Sequence, residues 1–217
     1  GECIVKAISR MSRVVLEGTR MERIDAIKFL IHLMADIHQP LHVSFRLDAG
    51  GNTIQLASPD LTLHEVWDRI PQDIDPIVTN FDKDANNVDF ENPDSVETFV
   101  ASIASETSTK FTCKAAYKHV GPNALWIESR DSLTNDYEKR QRIVVNIQLG
   151  QAAHRLAILL NGLGEIYMRN YNELHLKPIS DAPKHAKEQP GTSPNRYYLL
   201  ETEDIDEDCI WDEAKDE

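Results

Sequence analysis

Two histidine–aspartate pairs stand at a separation of four: His32 with Asp36 in HLMADIHQPLH, and His64 with Asp68 in LHEVWD. A fifth donor, His42, closes the first of these words. Residues four apart share one helix face, and imidazole with carboxylate at such spacing is the ligand chemistry of hydrolytic zinc centres. One pair alone is more often an ordinary hydrogen bond than a metal site. Two pairs with His42 reverse that balance, because two helix faces can converge on shared metal. Gln39, Pro40 and Asn52 are expected to shape the site. His38 lies two positions from Asp36, points elsewhere on a helix, and is left outside it.

These residues need elements to hold them. In MERIDAIKFLIHLMADIHQPLH the residues Ile24, Ile27, Leu30, Ile31 and Met34 recur near helical period and are expected to face a core, with His32 and Asp36 beside them. Burying an imidazole and a carboxylate unpaired is costly, and metal ligation removes that conflict. The periodicity predicts helices over about 1–18, 21–42, 62–70, 94–118 and 134–172. Gly50 and Gly51 predict a tight turn into a short strand from Asn52 to Leu56, part of a β-hairpin near the metal site. The Asp-, Asn- and Pro-rich stretch after residue 70 reads as a loop or lid. The fold class is therefore mainly α, with a single helical domain over 1–175 and a Pro-rich, then acidic, disordered tail over 176–217.

The other motif readings fail on detail. His64-Glu65 begins like a zincin HExxH, but Asp68 stands where the second histidine is required. No nucleophile elbow, Walker loop or dinucleotide fingerprint occurs. His119, His154, His175 and His185 have no carboxylate at ligand spacing; His119 reads as a surface residue beside a Gly-Pro turn, and His154 as packed. Trp67, between His64 and Asp68, is expected to pack in the core.

Taken together, FLIHLMADIHQPLH with its His-x3-Asp-x5-His spacing, GGNTI and LHEVWD resemble the zinc-dependent single-strand-specific nucleases and 3'-nucleotidases, the class I nucleases. The likeness runs more loosely from Cys3 to about Met168. It implies a helical fold of the phospholipase C and zinc nuclease type, holding three zinc ions at a cleft floor. Carried over, His32 binds one ion of a close pair, Asp36 bridges both and is catalytic, and His42, His64 and Asp68 hold the third. Asn52 is placed at the substrate phosphate. The pair's remaining family ligands fall upstream of residue 1, so the sequence is expected to be a piece of a longer chain or a truncated paralogue.

The implied activity is hydrolysis of single-stranded RNA or DNA and of 3'-nucleotides to 5'-phosphates by a metal-activated hydroxide, with the protein a monomer. Two rivals stand beside it. One is a zinc phospholipase C-like enzyme, which an apolar membrane-facing rim would favour; the other is a degenerate, non-catalytic zinc-binding paralogue. The resemblance also implies secretion and disulfides, with partners for Cys3 and Cys113 upstream of residue 1.

Charge and composition narrow the options. The net charge is −13, but residues 201–217 hold ten acids and one lysine, leaving −4 on the other 200 residues. A mildly acidic body argues against a basic groove that tracks duplex phosphates, so metal must supply the positive field locally. With 217 residues and 41% hydrophobic content, one sizeable core is available. No uninterrupted apolar run approaches the ~20 residues of a bilayer span.

Overall fold

A computed structural model describes residues 3–57, 60–69, 74–77 and 87–175, with side chains to 173. Expectations for the tail from 176 onward, His175 as a side chain and His185 included, lie outside the described residues. Among the described residues, five α-helices carry the fold: α1 (Ile4–Glu17), α2 (Arg20–Asp36), α3 (Leu63–Asp68), α4 (Pro93–Thr107) and α5 (Asn135–His175). A π-helical segment, Ser108–Ala116, continues α4.

Local chemistry sets the helix starts. Thr19 and Glu22 form a reciprocal capping box at α2, and Thr62 with Glu65 repeats it at α3. Asn92 caps α4, where Pro93 occupies the first turn without wasting a donor. The second helix ends at Asp36 rather than reaching His42. Pro40 has no N–H and disfavours helix before it, so overlapping turns take over: His38 N–H donates to Ala35 O (3.1 Å), Gln39 N–H to Asp36 O (2.9 Å) and His42 N–H to Gln39 O (3.0 Å).

Two apolar clusters are packed by these helices. One joins Ile8, Met11, Leu30, Met34, Val100, Ile103, Leu159 and Leu163 from α1, α2, α4 and α5. The other gathers Leu41, Leu56, Leu63, Trp67, Tyr137 and Val144 around α3 and the first half of α5. Asp36 ends a helix of the first cluster, while His64 and Asp68 ride on a helix of the second. The candidate ligands thus straddle the seam between them.

Two further expectations are corrected. On α2, Leu30 and Met34 are buried with Ala26 and Leu33, but Ile24, Ile27 and Ile31 are partly exposed, Ile31 by 49%. A helix apolar on both sides offers periodicity no way to choose its core face. The strand Asn52 to Leu56 is a single bridge, Gln55 to Thr62, with Leu56 N–H on Leu61 O (2.9 Å) and Leu63 N–H on Ile54 O (2.9 Å); among the described residues there is no sheet. Ala49, Gly50 and Gly51 turn through successive positive φ values of 51°, 64° and 83°, so the glycine turn itself stands as read.

One helix among the described residues, Asn135–Glu173, is long and apolar enough by length and composition to cross a membrane, with mean hydropathy 1.3 over its best window. Polar residues interrupt it, which is why it forms no continuous apolar run. Its Leu159 and Leu163 are fully buried in the first cluster. Residues 74–77 of the polar stretch lie against this helix, with Ile77 N–H on Asn146 O (2.9 Å) and Asp75 N–H on Asn146 Oδ1 (3.1 Å).

Candidate metal centre

His42, His64 and Asp68 come together as a group of potential ligands, one donor atom from each lying within 4.8 Å of the others. His42 Nε2 is 3.5 Å from Asp68 Oδ1, and His64 Nε2 is 3.4 Å from Asp68 Oδ2. Both separations exceed a good hydrogen bond. They match donors of one tetrahedral zinc ion, which at ~2.0–2.1 Å from the metal lie about 3.3 Å apart. The two imidazoles stack with centroids 5.2 Å apart and planes 20° from parallel.

Two of these candidate ligands, His64 and Asp68, are held from behind. His64 Nδ1 lies 2.8 Å from Gly50 O, so Nδ1 carries the proton and donates it, leaving the Nε2 lone pair for metal. Gln39 Nε2 donates to Asp68 Oδ1 (3.0 Å), and the other end of the same amide accepts from Leu41 N–H. Gln39 therefore fixes a carboxylate oxygen from a distant part of the chain. Removing it as Gln39→Ala is expected to weaken zinc binding by about 10–100-fold, the usual cost of losing an orienting partner. Zinc affinity by competition with a chromophoric chelator checks this; an unchanged constant would refute the role.

Asp36 faces both halves of the site. His32 Nε2 lies 3.1 Å from its Oδ2, and His42 Nδ1 lies 3.6 Å from its Oδ1. His32 is the most exposed member, its side chain 63% accessible, and it stands outside the three-ligand group. Burial, the largest influence on His42, favours its neutral ring, yet Asp36 and Asp68 outweigh that and raise its pKa above the ordinary histidine value. The centre calls for positive charge, and its donor set fits a zinc ion at His42, His64 and Asp68.

Beside the ligands opens a cavity of about 310 Å³, walled by Pro40, Trp67, Val145, Leu149 and Ala152 with Asp36 and Asp68 at its polar side. Trp67 is packed as expected, its Nε1 donating to Tyr137 Oη (2.8 Å). Asn52 is exposed at the glycine turn and donates Nδ2 to Ala49 O (2.8 Å).

Residues 1–165 match the family described as S1/P1 Nuclease. The chain belongs to the S1/P1 nuclease family. It is 33% identical over 167 residues to Endonuclease 1 of Arabidopsis thaliana, covering 67% of this chain and 52% of that protein. Endonuclease 4 of the same plant is 30% identical over 180 residues, covering 75% and 53%. Nuclease S1 of Aspergillus oryzae is 41% identical over 69 residues, or 30% of this chain and 24% of that one. The chain thus spans about half the length of the plant S1/P1 relatives it matches. Its mainly helical domain is that of the S1/P1 nuclease fold.

Two histidines differ from their sequence reading. His119 pairs with Asp131, Nε2 to Oδ2 at 2.9 Å, a carboxylate twelve residues away that helical spacing cannot reveal. His38, left outside the site as pointing elsewhere on a helix, is buried at 2% exposure in the turn between the candidate ligands Asp36 and His42. The helix ends before it, so the angular argument from Asp36 does not apply. Cys113 has a free thiol.

Proposed function

We propose that this chain carries metal-binding machinery of a zinc-dependent phosphodiesterase acting on single-stranded RNA or DNA and on 3'-nucleotides, with 5'-phosphate products. The observation that carries the reading is the zinc-like spacing of His42, His64 and Asp68 in a member of the S1/P1 nuclease family. Held by these residues, a zinc ion would supply charge neutralisation for an oxygen leaving phosphorus and would acidify bound water.

His42, His64 and Asp68 would hold that ion, oriented by Gln39 and by the Gly50 carbonyl. Asp36, set between His32 and His42, is proposed as the bridge to a close pair of further ions, with His32 as ligand to one. An amide has two donor hydrogens, so Asn52 can engage Ala49 and also a substrate phosphate. The apolar cavity beside the ligands suits an unstacked base, which a duplex cannot deliver without breaking its own stacking. A monomer exported through the secretory pathway, with Cys3 in a disulfide, completes the reading.

One observation favours a second reading, a non-catalytic zinc-binding paralogue. Among the described residues only His42, His64 and Asp68 form a group of three donors, while His32 and Asp36 face each other. Zinc per chain by elemental analysis, run beside cleavage of single-stranded DNA and a 3'-nucleotide, separates the two. On a chain extended to its relatives' full length, about three zinc ions with turnover is expected for the enzyme; about one tight zinc without turnover there would establish the paralogue.

A further inference from the structure

Arg155 sits on α5 with 2% exposure, deep in a largely apolar interior. A buried guanidinium is expensive to desolvate and needs its donors occupied. One end of this one forms a salt bridge to the Glu106 carboxylate near the end of α4. The other, Nη1, lies 3.0 Å from His38 Nε2. His38 Nδ1 lies 2.7 Å from Met34 O. A carbonyl only accepts, so Nδ1 bears the proton and Nε2 is the acceptor for Arg155. The arrangement needs no charge on the ring.

The location of His38 gives this network its use. It belongs to the short turn between Asp36 and His42, two candidate ligands that no regular helix spans. That turn is gripped from outside at two further points: Gln148 Nε2 donates to His38 O (2.6 Å), and Thr112 Oγ1 donates to Pro40 O (2.6 Å). Gln148 and Arg155 come from α5, and Thr112 comes from the π-helical segment. The backbone conformation that sets the His42 imidazole against Asp36 and Asp68 is thus fixed by residues more than a hundred positions away, as well as by Thr112.

We propose that Arg155, braced by Glu106 and acting through His38, is a positioning residue for the metal centre. This inference rests on the zinc-centre reading above. Loss of the guanidinium leaves the His38 ring held only through its Nδ1 bond to Met34 O and lets the turn relax, so Asp36 and His42 lose their mutual register. Side chains that orient ligands from behind are worth about 10–100-fold in metal affinity.

The test is titration of the metal-free chain with Co²⁺, followed by the visible absorption of the bound ion, with Tm recorded in parallel. Arg155→Met is expected to weaken Co²⁺ binding by about 10–100-fold and to alter the absorption band, whereas Arg155→Lys recovers part of the affinity. The control is Val100→Ala, which opens a cavity in the same core; it is expected to lower Tm while leaving Co²⁺ affinity within about twofold, since it touches no ligand support. An unchanged constant and spectrum in Arg155→Met, or an equal loss in Val100→Ala, overturns the inference. If Arg155→Met does not fold, Glu106→Gln carries the same comparison with an expected loss of about 3–10-fold, and an unaltered affinity there is equally fatal. A wild-type chain that binds no Co²⁺ overturns the zinc centre and this inference together; wild-type binding with indifferent variants removes only the positioning role.

Discussion

Replacing His42 by alanine is expected to empty the metal centre. Among the described residues, this ring alone faces both Asp36 and Asp68, at 3.6 Å through Nδ1 and 3.5 Å through Nε2. Without it, His64 and Asp68 remain as two donors, too few for a structural or catalytic zinc site of ordinary affinity. Two carboxylates also lose the group that separates them and offsets their charge. Zinc content after dialysis against micromolar free zinc should fall from stoichiometric to background, and any hydrolysis should go with it. His32→Ala is the contrasting variant: it lies outside the three-donor group and should leave that ion bound. Full zinc in His42→Ala would sink the ligand assignment.

Gly50→Ala is expected to have the second largest effect, on stability and metal binding at once. Gly50 has φ of +64°, and an added Cβ would stand 2.7 Å from Leu41 O and 3.2 Å from His64 Nδ1. Left-handed backbone costs a residue bearing Cβ about 1–2 kcal/mol. The first contact is with backbone, which has little freedom to yield, so the total is expected to reach about 2–4 kcal/mol. For a domain of this size that corresponds to a fall in Tm of roughly 5–15 °C. The strain is also aimed at the hydrogen bond from His64 Nδ1 to Gly50 O, so zinc affinity should drop with stability. Thermal unfolding with and without EDTA reads both effects. A Tm within about 2 °C of wild type would show that the turn rearranges at little cost.

What was legible in the chain followed from short-range geometry. The i, i+4 spacing of His64 and Asp68 survives as a ligand pair because α3 is a true helix with a capping box at its start. The same spacing identified His32 and Asp36, yet left open that these two would face each other. His42 is legible from its residue type, although periodicity predicts a helix that runs too far, to residue 42; Pro40 carries the information that α2 ends early. On α2 the apolar residues fall on both sides, so the exposed face at Ile24, Ile27 and Ile31 could not be told from the buried one at Leu30 and Met34. Arg155 and His38 are 117 residues apart, and nothing local marks their pairing. A lone arginine in QAAHRLAILL reads as surface until the structure places Glu106 beside it. The π-helical winding of Ser108–Ala116 likewise has no periodic signature distinct from an ordinary helix.

That wide segment has a consequence for how the chain can vary. Because a π turn holds more residues than an α turn, one residue removed there would return the backbone to ordinary winding. The remainder of that helical segment after the deletion would rotate about the helix axis by roughly 100° relative to the elements packed on it. Thr112 would then turn from Pro40 O, and the carbonyls of Ala115 and Lys118 would turn from the Arg140 guanidinium that they accept from. Substitutions at the exposed Thr109, Lys110 and Lys114 are comparatively cheap, whereas insertions and deletions are not. In Ser108–Ala116 the number of residues carries more of the design than their identities.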